Sequence, residues 1–209
     1  MEVNTCTIMT KRFSLPEGFK IPIFFGPSGV GKSTLVNHVI DQIVEVTLSI
    51  SDTTRHKREY EINKIHYYFR NKQEFQSLIL AGAFIEFEEV YKGVFYGTRF
   101  GEIKRLYDTG RTPVMDIDVK GAKNLFSKYP NNFVPVLVSC PLELIPDRLI
   151  KRGTEDDADL LKQRIEKAKS EIEEGESFAV HIILNTDLDQ AKDKAFKIVK
   201  EVILQNHPI

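Results

Sequence analysis

The run Ile21-Pro22-Ile23-Phe24-Phe25 has no polar alternation and is too short for a helix, so it reads as a strand buried on both faces. Apolar residues then return at helical spacing at Leu35, Val36, Val39, Ile40 and Ile43, predicting a helix over residues 35–44. A short strand over 45–51 follows, then strand-like pieces at 65–70 and 84–90, separated by a helix over 72–80 that stops at Gly82. Helix and strand alternate again beyond residue 99, with helices over 99–107 and 122–128 and strands over 113–117 and 134–139. A helix over 142–151 precedes a long charged one over 157–174, whose apolar stripe is Leu160, Leu161, Ile165, Ala168 and Ile172. The last elements are a strand over 180–184 and a helix over 188–204. This alternation predicts a doubly wound α/β fold with a parallel sheet, interrupted by a mixed insertion. Residues 1–20 read as a loose tail ending in the turn signal Pro16-Glu17-Gly18.

A chain of 209 residues fits one domain with an inserted lobe and can bury a substantial core without staples. Its 29 basic residues nearly balance 30 acidic ones, which argues against nucleic acid or an anionic membrane as the main partner. Functional positive charge must therefore be local. The apolar runs are strand-sized, and Cys6 and Cys140 lack metal-type spacing, so a soluble protein of a reducing compartment, the cytoplasm, is expected.

The local chemistry begins directly after the first strand, where Gly26-Pro27-Ser28-Gly29-Val30-Gly31-Lys32-Ser33 fits the phosphate-loop pattern G-x-x-x-x-G-K-[ST] and opens a helix at Thr34. Glycines let the backbone turn its N–H groups onto a polyphosphate, and the helix adds its positive dipole end. Lys32 would reach the β and γ phosphates, and the Ser33 hydroxyl would hold magnesium. A second cluster, Ser51 to Arg58, sets Arg55 and Arg58 beside hydroxyls, two planar forks suited to a phosphate dianion. Tyr67, Glu86 and Tyr96-Gly97-Thr98 lie in the same inserted segment and supply polar groups for a nucleotide pocket. Asp116 and Asp118 end an apolar strand where α/β sheets bind ligands; one could instead cap the next helix. Arg148 and Arg152 lie four apart on one helix, and Arg164 on the next, where they could neutralise a moving phosphoryl group.

Together these residues resemble the guanylate kinase family, and the resemblance runs from about residue 21 to residue 191. It implies a three-layer P-loop α/β fold with a parallel sheet core, an inserted mixed lobe at about 51–99 that binds GMP, and a helical lid at about 148–165. The domain would span 21–209. By similarity, ATP is held by Gly26 to Thr34 and Asn185, and GMP by Ser51, Arg55, Arg58, Tyr67, Glu86, Tyr96, Gly97, Thr98 and Asp118. Magnesium falls to Ser33 and Asp116, and catalysis to Lys32, Arg55, Arg58, Arg148, Arg152 and Arg164. ATP and GMP are the implied partners of a monomer or homodimer. The chain departs from the family's T-R-x-P-R-x-G-E at Lys57 and Tyr60, and carries an extra residue between Glu86 and Tyr96 and another in the lid. Both arginines are kept. Glu86 is favoured over Glu88 and Glu89 as the base-reading acid. Scaffolding modules of similar fold that bind proteins typically lack a working phosphate loop, which is intact here.

Overall fold

The apolar run becomes β1 (Ile21–Phe25), buried at every residue, in a computed structural model that describes residues 15–151 and 158–206. Its side chains alternate between two cores. Phe24 packs with Val36, Val39, Val114 and Val136, while Ile21, Ile23 and Phe25 pack with Ile103, Met115 and Leu125 on the other face. A sheet with a core on each side must be covered by helices twice, which makes the fold three-layered. Each fully buried Phe or Ile contributes on the order of 1.5–3 kcal/mol.

Flanking β1 in a parallel sheet are β2 (Val46–Leu48), β7 (Thr112–Ile117), β8 (Phe133–Ser139) and β9 (His181–Leu184), in the order β2-β7-β1-β8-β9. Between them run α1 (Lys32–Gln42), α3 (Phe100–Asp108), α4 (Val119–Lys128), α5 (Ile145–Lys151), α6 (Ala158–Glu176) and α7 (Leu188–Asn206). The strand β1 and its neighbours β7 and β8 end on the same side, and that edge carries the site.

The insertion builds its own mixed sheet in the order β4-β3-β6-β5, from β3 (Asp52–Thr53), β4 (Tyr68–Phe69), β5 (Phe84–Tyr91) and β6 (Val94–Arg99). Asp52 is fully buried at its centre, where Arg70 Nε at 2.8 Å and Arg99 Nε at 2.6 Å meet its two oxygens. A buried carboxylate needs such partners, and removing one side of the set would leave an uncompensated charge. Against this sheet lies α2 (Lys72–Leu80), capped by Asn71 and Glu74 and packed through Phe75, whose ring stacks on Phe84 at 4.5 Å.

Several boundaries differ from the sequence reading for identifiable reasons. The expected strand over 45–51 shortens to Val46–Leu48, because after Ser49 N donates to Val114 O at 2.9 Å the next amide, Ile50 N, turns to Glu102 Oε1 at 3.2 Å and the chain passes to the other sheet. The expected strand over 65–70 shrinks to Tyr68–Phe69, since Lys64 takes a positive φ of 68° and Ile65 is exposed. No strand was expected at β6; Gly97, a poor strand former, sits within it, where a Cβ would lie 2.8 Å from Phe87 Cβ. The expected helix over 142–151 is a 3-10 turn at Leu142–Leu144 followed by α5. Of the tail expected over 1–20, residues 1–14 lie outside the described residues, while at its end Phe19 is buried edge-on against Tyr107 and Asn206 bonds both Lys20 N and Lys20 O. Among the described residues no helix is long and apolar enough to cross a membrane.

Candidate active site

Between β1 and α1 the chain turns through Gly26, Gly29 and Gly31, all at positive φ. Gly26 is forced by space as well as by angle, because a Cβ there would stand 2.3 Å from Val138 O on β8. Val30 pins the loop from below with a fully buried side chain. Lys32 Nζ rests on the loop's own carbonyls, 2.8 Å from Gly26 O and 2.9 Å from Pro27 O. Ser33 Oγ donates to Asp116 Oδ2 at 2.5 Å, joining the start of α1 to the end of β7.

A cleft of 430 Å³ opens over this loop and reaches into the inserted sheet, bringing Lys32, Ser33, Asp116 and Asp118 of the core together with Ser51, Arg55, Arg58, Tyr67, Glu86 and Tyr96. Pro27, Ser28 and Arg164 also line it. Thr98 lies just behind, fully buried, with its Oγ1 3.0 Å from Ser51 Oγ, and Gly97 sits beside it with no room for a side chain. The two aspartates are not equivalent. Asp116 belongs to β7, whereas Asp118 lies past the strand and caps α4 by accepting from Gly121 N at 3.0 Å.

The arginine loop is organised by a residue absent from the predicted site. Glu61 is buried; its Oε1 and Oε2 accept from Arg55 Nη2 at 2.7 Å and Nη1 at 3.0 Å, and Oε2 also accepts from Arg58 N at 2.7 Å. Burial opposes its ionised form, but the bonds from Arg55 and Arg58 win and hold its pKa below the usual carboxylate range. Arg55 Nε donates to Tyr96 Oη at 3.0 Å, and its guanidinium lies over the Tyr67 ring at 5.5 Å. Burial lowers the Arg55 pKa, but the Glu61 and Tyr96 contacts outweigh it and raise the value. The Tyr67 phenol is raised by burial and then by the negative charge of Asp116. The sequence signal for Glu61 was its place six residues after Arg55, at the acid that ends the arginine pattern.

Of Glu86, Glu88 and Glu89, it is Glu86 that lines the cleft. It is buried, whereas Glu88 bonds Asn124 outside the cleft and exposed Glu89 accepts from Gly93 N at the hairpin turn. Burial pushes its pKa up to about 8, helped by the charges of Asp118 and Glu88 and opposed by hydrogen bonds from Thr98. The stretch where an extra residue was expected, between Glu86 and Tyr96, contains a shift of the β5–β6 register between Glu89 and Tyr91.

Other expected residues stand apart from the cleft. Arg148 reaches the back of the phosphate loop, donating to Val30 O at 3.2 Å and Asn185 O at 2.9 Å. Asn185 is buried and bonds the same Val30 carbonyl through Nδ2 at 2.8 Å. Thr34 is exposed on α1, outside the cleft lining. Arg152 lies outside the described residues. Lys167 and Glu171 line the cleft although their helix reads as a solvated face; their spacing from Arg164, three and seven residues, was the available signal. Burial raises the Glu171 pKa, with Lys167 and Lys32 pulling the other way.

Residues 19–206 match the family model described as guanylate kinase. A guanylate kinase of Bacteroides fragilis is 36% identical over 185 residues, covering 88% of this chain and 90% of that protein. One from Mycoplasmopsis pulmonis is 38% identical, covering 86% and 93%. The crystal structure of guanylate kinase from Anaplasma phagocytophilum superposes with a TM-score of 0.71 at 26% identity, covering 90% of this chain and 88% of that one.

Proposed function

The chain belongs to the guanylate kinase family and transfers the γ-phosphoryl group of ATP to GMP, giving ADP and GDP; on that premise we propose how its residues divide the work. The observation that carries the assignment is the single cleft in which the phosphate loop faces Arg55, Arg58 and Glu86. The core from 21 onward carries ATP, the lobe at about 51–99 carries GMP, and the segment at about 148–165 acts as lid.

Lys32 exchanges the carbonyls of Gly26 and Pro27 for the β and γ phosphates, carrying positive charge to where negative charge develops. The loop amides from Gly26 to Thr34 hold the phosphates, and Asn185 and Arg148 position that loop through Val30. Arg148 then acts by holding backbone, while Arg164, in the cleft wall, and Arg152 complete the charge around the phosphoryl group. Arg55 and Arg58 grip the GMP phosphate with Tyr67 and Tyr96. Ser51, Glu86, Thr98 and Asp118 read the guanine. No general base is required, because the acceptor is a phosphate oxyanion; the work is alignment, charge neutralisation and exclusion of water.

Ser33 Oγ and Asp116 Oδ2 put two hard oxygen donors at the edge of the phosphate loop, which fits magnesium held by few protein ligands and by the nucleotide. Bound there, the ion would neutralise β and γ phosphate charge. Cys140, a buried free thiol, accords with the cytoplasm as the compartment.

The test is ADP release from MgATP with GMP, AMP, CMP or UMP as acceptor. GMP should be strongly preferred, and Glu86→Gln should remove most of that preference without moving KM for ATP. Equal use of all four acceptors would overturn the assignment of the lobe.

A further inference from the structure

The start of α4 lies against the carboxylate of Glu86. Gly121 stands in the first turn of that helix, buried, with its amide on Asp118 Oδ1. It is not among the glycines at positive φ, so the backbone itself does not call for glycine there. Glycine is also a poorer helix former than alanine. What the position does call for is space. A Cβ on Gly121 would stand 3.0 Å from Glu86 Oε2, while its next neighbours, Asp118 Oδ2 at 3.5 Å and Ile117 Cδ1 at 3.6 Å, are at ordinary contact distance. Glu86 is only 7% exposed, and its cross-strand partner Thr98 is fully buried, so the carboxylate has little slack on the other side.

We propose that Gly121 is a positioning residue for base selection: its missing side chain is the seat that aims the Glu86 carboxylate at the purine edge. This rests on the reading of Glu86 as the guanine acceptor. A carboxylate correctly aimed takes both the N1–H and the 2-amino group of guanine, two bonds at once. Pushed aside by a few tenths of an ångström, it keeps one good bond and spoils the other. The ligand that separates these cases is IMP, a 6-oxopurine nucleotide with N1–H and no 2-amino group. It can offer only one bond to begin with.

The experiment compares the intact protein with Gly121→Ala and Glu86→Gln, measuring kcat/KM for GMP and for IMP, KM for ATP, and the thermal midpoint. For Gly121→Ala the midpoint should hold or rise, because alanine favours the helix, and KM for ATP should stay the same. Its kcat/KM for GMP should fall roughly tenfold, the loss of one charge-assisted hydrogen bond, and its kcat/KM for IMP much less. The GMP preference thus shrinks in a protein no less stable. If Glu86→Gln is damaged while Gly121→Ala keeps the parental ratio of GMP to IMP, the inference about Gly121 fails alone. If Glu86→Gln leaves GMP use intact, the reading of Glu86 fails and takes this inference with it. A Gly121→Ala protein with a lowered midpoint and both KM values raised would make Gly121 a packing residue and overturn the proposal.

Discussion

If Glu86 is the guanine acceptor, its raised pKa couples GMP binding to a proton. With its pKa near 8 the buried carboxyl is mostly neutral at pH 7, yet only the carboxylate accepts both donors of guanine. GMP binding should therefore expel a proton. At pH 7.5, above the second phosphate pKa of about 6, titration calorimetry in buffers of different ionisation enthalpy should count most of one proton released per GMP. The sign follows from the raised value: affinity for GMP improves as pH climbs through neutrality and levels off above about 8. A count of zero would mean that the carboxyl is already ionised. Lys32→Ala should lower turnover by about 10² or more, as loss of a transition-state charge contact does. Its fold should survive, because Lys32 Nζ bonds only two loop carbonyls; near-parental turnover would remove Lys32 from the chemistry. Arg58→Lys replaces a fork by a point charge, so KM for GMP should rise while KM for ATP holds, and equal shifts in both would contradict the assignment.

At the scale of elements, the sequence disclosed what is encoded locally and hid what depends on partners. The run at 21–25 was legible because it is unbroken, apolar and strand-length, and the helix over 72–80 because its apolar spacing and its stop at Gly82 are local. β6 was not, because Gly97 is chosen by the approach of Phe87 across the sheet and not by its own stretch of chain. The switch of the chain between sheets after Ser49 was hidden for the same reason, since it depends on Glu102, more than fifty residues away. The phosphate loop was fully legible, its spacing being its chemistry. Glu61 and Lys167 carried only weak signals, a place at the end of the arginine pattern and a helical spacing from Arg164, which gain meaning when the fold sets Glu61 on Arg55 and Lys167 in the cleft wall. The arginine loop tests this. Glu61 gathers Arg55 and Arg58, and Lys57 Nζ closes the same loop by donating to Glu61 O at 2.8 Å. Glu61→Gln keeps the shape but loses the charge that orders both forks, so KM for GMP should rise roughly tenfold. Lys57→Met should act in the same direction more weakly, and Lys57→Arg should restore it. If Glu61→Gln leaves KM for GMP at the parental value, the arginines are ordered by something else.

For the whole molecule, the cleft lies between two sheets joined by the link after β2 and by the step from β6 into α3, and α6 reaches across its mouth. Lys167 Nζ meets Val90 O only at 3.5 Å, in an exposed setting. Such a bond contributes little net stability, so the mouth can narrow at small cost while the floor, where α4 packs on β5 and Asn124 bonds Glu88, stays in place. A 430 Å³ cavity open to solvent cannot exclude the water that would compete with GMP for the γ-phosphoryl group. The groups proposed to hold the substrates line both sides of the gap, Lys32 on the core and Arg55 with Arg58 on the lobe. Both nucleotides together offer the anionic charge that would draw these cations toward one centre. Small-angle scattering should therefore record a smaller radius of gyration with GMP and a non-hydrolysable ATP analogue bound than with neither. Arg55→Ala should abolish the part of that change caused by GMP while keeping the part caused by the ATP analogue. A radius that stays constant across all ligand states would mean that the unliganded arrangement is already the reacting one, and that water is kept out by the substrates alone.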